Sequence, residues 1–124
     1  LEFRRVLFRS AVKALRATEG IVEQVTEAEI ANASSFVDRF GFFNDPQTGV
    51  ALAATKKLAE SGKIPRRSRV IVISTAHGLK FTDFKLRFHQ GDFAGTDSAL
   101  RNLPIELPSN VEAVLAALRG RIPA

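Results

Sequence analysis

The sequence predicts an α/β fold, and three observations carry that prediction. The stretch "VIVI", Val70 to Ile73, is apolar at every position, the pattern of a strand covered on both faces in the middle of a parallel sheet. Segments with apolar residues three and four apart stand on either side of it, as helices flanking such a sheet do. The order helix, loop, strand, loop, helix occurs twice along the chain, which is the order of a right-handed crossover unit.

The first ten residues, "LEFRRVLFRS", carry three arginines beside five apolar residues and no initiating Met. They read as the in-frame translation of a sequencing adapter and are set aside as an artefactual leader. Without Glu2, Arg4, Arg5 and Arg9 the 18 basic and 13 acidic residues become 15 and 12, and the net charge falls from +5 to +3. The remaining residues, 11–124, are enough for one small domain or part of a larger one. With no Met anywhere in the chain, a truncated reading frame with its upstream part missing is expected.

Within residues 11–124, "AVKALRATE" suits the end of a helix stopped by Gly20. "GIVEQVT" has β-branched Ile21, Val22 and Val25 and reads as a short strand. Thr26 with Glu29 three positions later is a capping-box pattern, and Ile30, Ala33, Phe36 and Phe40 continue it as a helix ending at Gly41. Phe42 and Phe43 form a candidate short strand. Asp45 followed by Pro46 then reads as an N-cap with proline in the first helical turn. Gly62 stands just past that helix's end. Small residues on its face (Gly49, Ala51, Ala53, Ala54) require something to pack close to it, either another backbone or a ligand.

"KIPRRSR" is a polar loop leading into the buried strand. Phe81, Phe84 and Phe88 favour a helix after it, and a Gly- and Pro-punctuated connection leads to a last helix capped at Ser109 or Asn110. Two or three short strands are too few to close a sheet, so this piece is expected to complete one supplied by a missing part. Alone it would expose apolar surface and unpaired strand edges, which predicts poor solubility.

Composition excludes several classes of function. There are no cysteines and only two histidines, twelve positions apart, so neither a disulfide framework nor a metal site is expected. Basic residues are scattered apart from "KIPRRSR", which gives no nucleic-acid footprint. Apolar runs such as "GVALAA" are too short to span a bilayer, and a cytoplasmic location is the simplest expectation.

The candidate site is "STAHGLK", Ser74 to Lys80, at the carboxyl end of the buried strand. Ligands of open α/β sheets lie there, where loops leave the sheet and helix N-termini offer unpaired N–H groups. Spacing alone leaves two readings of Ser74 and Thr75 open: uncharged hydrogen-bonding contacts to a ligand, or helix caps. His77 reads as an acid, a base, a phosphate contact or a structural hydrogen-bonder. Lys80 reads as a solvated or anion-contacting lysine rather than a Schiff-base lysine. No glycine-rich phosphate cradle is visible.

"DPQTGVALAATKKL", followed about twenty residues later by "VIVISTAHGLKFTDFK", resembles the C-terminal part of the threonine synthase family. These are pyridoxal-phosphate enzymes of the tryptophan-synthase-β-like fold (fold type II). The resemblance covers most of residues 20–90, and "LPIELPSNVEAVLAALRG" is similar to the family's last helix.

The resemblance implies a three-layer domain whose partly parallel sheet is flanked by helices. It implies that the Thr75 hydroxyl bonds the cofactor's pyridine nitrogen, that Ser74 supports the loop, and that Asp45 and Pro46 line the other side of the ring. His77 and Lys80 are possible substrate-loop residues. A neutral hydroxyl would leave the ring a milder electron sink than a carboxylate would.

The family reaction converts O-phosphohomoserine and water to threonine and phosphate, in an enzyme for which a homodimer is one expectation. The Schiff-base lysine and the phosphate loop belong to the earlier part of the family's chain, so no catalytic residue is expected here and the piece alone should be inactive. A serine/threonine dehydratase-like enzyme of the same fold is one alternative, disfavoured by "HGLKFTD". A non-catalytic α/β module, in which "STAHG" and "DPQTG" merely begin helices, is the other.

Overall fold

The computed structural model describes residues 2–120, with side chains from Arg9 onward. Leu1 of the leader and residues 121–124 of the expected domain lie outside them. Five α-helices make up its regular structure: α1 (Glu2–Ala17), α2 (Glu27–Asp38), α3 (Pro46–Glu60), α4 (Thr82–Gln90) and α5 (Val111–Arg119). Two 3₁₀ turns, Gly78–Phe81 and Ser98–Leu100, complete the order. The first helix runs without a break through residue 10. Residues set aside as a leader therefore share a helix with 11–17, and the helix ends three residues before Gly20, whose N–H closes on Leu15 O at 2.7 Å.

The helix starts follow the caps. Thr26 N–H donates to Glu29 Oε2 at 2.6 Å while Glu29 N–H donates to Thr26 Oγ1 at 3.2 Å, so two otherwise orphaned amides are satisfied reciprocally. Asp45 caps α3 ahead of Pro46, and Asn110 caps α5. Gly62 and Gly91 take φ of +76° and +93° just past α3 and α4, a conformation that glycine adopts without a Cβ penalty.

The close neighbour that the small face of α3 demanded is α2. A Cβ placed on Gly49 would stand 3.0 Å from Ile30 Cγ2 and 3.2 Å from Ile30 O, so glycine sets how near the two helices come. Behind them Phe88, Ala31 and Phe93 form the core, with Phe84 and Leu100 packed on it. Phe84 and Phe93 rings lie 5.2 Å apart, and Phe88 is wholly buried.

The expected sheet is absent among the described residues. Residues 21–25 form no strand, and Phe42–Phe43 lead only to a single antiparallel bridge between Asn44 and His77. Val70 to Ile73 likewise forms no strand. Ile71 and Ile73 are 84% and 75% exposed rather than buried on two faces. A strand needs a neighbour about 4.8 Å away to pair its N–H and C=O groups, and no described segment runs beside this one.

Candidate functional site

The hydroxyls of the "STAHG" loop meet the start of α3, and Asp45 is the centre of that meeting. Its carboxylate is 1% exposed and accepts four hydrogen bonds. Thr48 N–H donates to Oδ2 at 3.4 Å, the Thr48 hydroxyl donates to Oδ1 in a short contact, the Thr75 hydroxyl donates to Oδ2 at 3.2 Å, and Ala76 N–H donates to Oδ1 at 3.3 Å. Burial pushes the Asp45 carboxyl upward. The Thr48 hydroxyl and the Ala76 and Thr48 amides outweigh that and hold it below the usual carboxylate value.

Proton counting fixes the direction of the surrounding bonds. A hydroxyl has one proton and an ionised carboxylate none, so Thr48 and Thr75 must both donate inward. Thr48 Oγ1 then accepts from Thr75 N–H at 3.3 Å, and it lies 3.4 Å from Ser74 Oγ. Ser74 and Thr75 are themselves exposed. The loop therefore shows two hydroxyl oxygens at its surface, with the Thr75 proton directed inward to Asp45.

A second polar cluster holds the residue before Asp45. Asn44 donates from its backbone N–H to Asp38 Oδ1 at 3.1 Å and from Nδ2 to the same oxygen at 2.8 Å, while Ser34 Oγ donates to Asn44 Oδ1 at 2.9 Å. Lys85, 3% exposed, reaches in from α4 and binds Asp38 Oδ2 at 2.5 Å and Ser34 Oγ at 2.7 Å. Its ammonium lies 5.0 Å from the Phe43 ring centroid. The chain from α4 to α2 to Asn44 thus fixes where Asp45 begins α3. Gly78 locks the loop from the other side by donating its N–H to Phe43 O at 2.8 Å. A Cβ there would stand 2.8 Å from the Phe43 ring and 2.9 Å from Asn44 O.

Of the six residues singled out by sequence, the structure brings Ser74, Thr75 and Asp45 together. Pro46 is half-buried in the first turn of α3. His77 caps the 3₁₀ turn by accepting Leu79 N–H on Nδ1 at 3.2 Å, with its ring 5.6 Å from Phe43. Lys80 is exposed and forms no ion pair among the described residues. Sequence reasoning missed Thr48, Asn44, Asp38 and Lys85. Only Lys85 left a signal, since it lies one residue after Phe84 and three before Phe88, on the buried face of α4.

A cleft of about 650 Å³ lies elsewhere, between α2, α3 and the Ser98–Leu100 turn, and is lined by Phe36, Leu52, Lys56 and Leu100. It does not include the hydroxyl loop. Among the described residues no group of three or more His, Asp or Glu side chains stands ready for a metal, and no helix is long and apolar enough to cross a membrane.

No family model matches the chain. Curated proteins do. It is 41% identical over 109 residues, 88% of its length, to threonine synthase 2, chloroplastic, of Arabidopsis thaliana. It is 38% identical over 78 residues, 62% of its length, to threonine synthase of Methanocaldococcus jannaschii, and 30% identical over 94 residues, 75% of its length, to that of a Bacillus species. The chain belongs to the threonine synthase family. The matched stretches are 21%, 19% and 27% of those relatives' own lengths, so the chain corresponds to a fraction of a threonine synthase.

Proposed function

We propose that this chain is the C-terminal part of a threonine synthase, which converts O-phosphohomoserine and water to threonine and phosphate with pyridoxal phosphate. In the complete enzyme it supplies the hydroxyl loop against the ring nitrogen of the cofactor. The observation that carries this reading is the exposed Ser74–Thr75 pair fixed to the buried Asp45 cap, in a chain 41% identical to a threonine synthase over most of its length.

The donor set fits one end of such a ring. Two outward oxygens over a buried carboxylate suit a heteroatom at a ring edge. Among the described residues no glycine-rich loop offers a phosphate cradle, and Gly78 is committed to packing within the chain. Lys85 is committed to Asp38 and Ser34, and Lys80 is exposed on the turn after the loop. The Schiff-base lysine and the phosphate loop are accordingly assigned to the rest of the protein, together with the strands that flank Val70–Ile73 and complete a three-layer fold. On this assignment the isolated chain is inactive.

When bound, the cofactor supplies an electron sink for carbanions formed on the substrate. Thr75 holds and orients the ring edge. Asp45 and Thr48 hold Thr75, Ala76 N–H holds Asp45, and the Asn44–His77 bridge holds the loop's exit. Replacing Thr75 by Val in the complete enzyme removes the oxygen at nearly constant volume. Losing one hydrogen bond of about 0.5–1.5 kcal/mol weakens cofactor binding roughly 2- to 12-fold. Titration of the cofactor followed by its absorption spectrum measures this, and an unchanged affinity and spectrum would overturn the assignment of Thr75.

A further inference from the structure

We propose that the cleft between α2, α3 and the Ser98–Leu100 turn is a docking groove for an apolar helix from the rest of the same polypeptide, with a carboxylate on that helix facing Arg39. This rests on the reading of the chain as the C-terminal part of a threonine synthase and goes beyond it. The cleft holds about 650 Å³, and Phe36, Val37, Leu52 and Leu100 line it beside the buried Ala53. Phe36 is 53% exposed, and its ring lies 5.4 Å from that of the equally open Phe40. A contiguous apolar surface of this kind marks an interface.

The walls decide what kind of segment fits. Two of them are α-helices, whose backbone N–H and C=O groups are bonded within themselves, so they offer no strand edge to pair with. An inserted segment must satisfy its own backbone groups, and an α-helix does so internally. The rim decides its charge. Lys57 is held by Glu29 at 3.5 Å and by Gln24 O at 2.8 Å, and Lys56 by Glu60 at 3.0 Å. Arg39, the third cation of the rim, forms no ion pair among the described residues. An apolar helix face with one carboxylate at that end is the complement.

Connectivity decides the source. The matched stretches are 21%, 19% and 27% of three relatives' own lengths, so on this reading most of the polypeptide lies outside the chain. A segment of the same polypeptide meets the groove without the entropy cost of joining two separate molecules, and at an effective concentration that dilution does not change. The chain also needs the contact. Its buried apolar side chains among the described residues are Ala31, Ala53, Phe88 and Phe93, too few to offset the conformational entropy of ordering the helices around them.

The test places a photoreactive benzophenone side chain at Phe36 in the complete enzyme, irradiates it and maps the product by mass spectrometry. The expected product has the mass of one chain and joins position 36 to a peptide from outside residues 11–124. That peptide should carry apolar residues three and four apart and an Asp or Glu. A product with the mass of two chains, a bond only to residues 11–124, or a joined peptide lacking that spacing or the acid overturns the proposal.

If the substituted enzyme does not fold, Phe36→Cys decides, because residues 1–124 contain no other Cys and alkylation can be read on the peptide that carries position 36. In the native complete enzyme the reaction should be about 100-fold slower or more than in urea, the effect of a local opening that costs about 2.8 kcal/mol. The protection should survive dilution and dialysis. A rate close to that in urea, or protection lost on dilution or dialysis, overturns the proposal. Failure of the underlying reading looks different: the complete protein would then show no absorption band of bound pyridoxal phosphate, whatever position 36 joins.

Discussion

Removing Asp38 is the sharpest perturbation of the frame behind the site. Its carboxylate holds the Lys85 ammonium at 2.5 Å and accepts both the backbone and the side-chain N–H of Asn44. Lys85 is 3% exposed, so in Asp38→Ala the positive charge loses its counterion without gaining solvent. Breaking a buried pair from one side costs about 3–5 kcal/mol. The Asp38 side chain is 12% exposed, which lets some water reach the gap and places the cost near the lower figure.

Lys85→Met keeps the apolar stem and leaves Asp38 with its Asn44 donors and some solvent, for a smaller loss of about 1–2 kcal/mol. The double variant buries neither charge and should lose less than the two singles added together, by about 2 kcal/mol. Native-state amide exchange in the complete protein reads these values locally, at the amides of α2 and α4. A loss of about 3 kcal/mol speeds their exchange more than 100-fold. Wild-type exchange in Asp38→Ala, or strict additivity in the double variant, would refute the claim that this pair is coupled and buried.

Two other outcomes follow from the packing and from burial. Gly49→Leu forces a side chain into the space where a Cβ already meets Ile30, and should cost about 1–3 kcal/mol by overpacking, read as faster exchange across both α2 and α3. Burial lowers the pKa of His89, the largest influence on it, against the pull of the Asp38 charge. Its neutral Nδ1 accepts Asn102 N–H at 3.0 Å. Because the folded value lies below the unfolded one, the stability this contact contributes is full above about pH 6.5 and is lost as the pH falls through the folded value. Exchange at the Asn102 amide should rise over that window, and His89→Gln should flatten the profile.

Local signals survived the move from sequence to structure, and long-range ones did not. Thr26 with Glu29, Asp45 with Pro46, and Asn110 each name a helix start through bonds made within four residues, so those boundaries were legible. The Phe84–Phe88 spacing named α4 for the same reason. The strand at Val70–Ile73 was inferred from its composition, but pairing depends on a neighbour that the described residues do not contain. α1 was cut short because residues 1–10 had been set aside as an adapter-derived leader, while the backbone from Glu2 to Ser10 belongs to the helix. At the site, the hydroxyl pair could be read from its place after an apolar run. The carboxylate behind it was named only through the family resemblance, as lining the other side of the ring; its bond to Thr75, thirty residues away, left no local signal.

The unpartnered run Val70–Ile73 feeds straight into Ser74 and Thr75. If the proposed complete fold pairs this run as a strand, its successive side chains point to opposite sides, and the pairing also decides which side Thr75 takes. A slip of a single residue would carry its oxygen from one side to the other. The aim of the hydroxyl is then doubly determined, by the anchor to Asp45 from within this chain and by strand alignment from without. A mispaired assembly would have to break that anchor before it could present the wrong side chain.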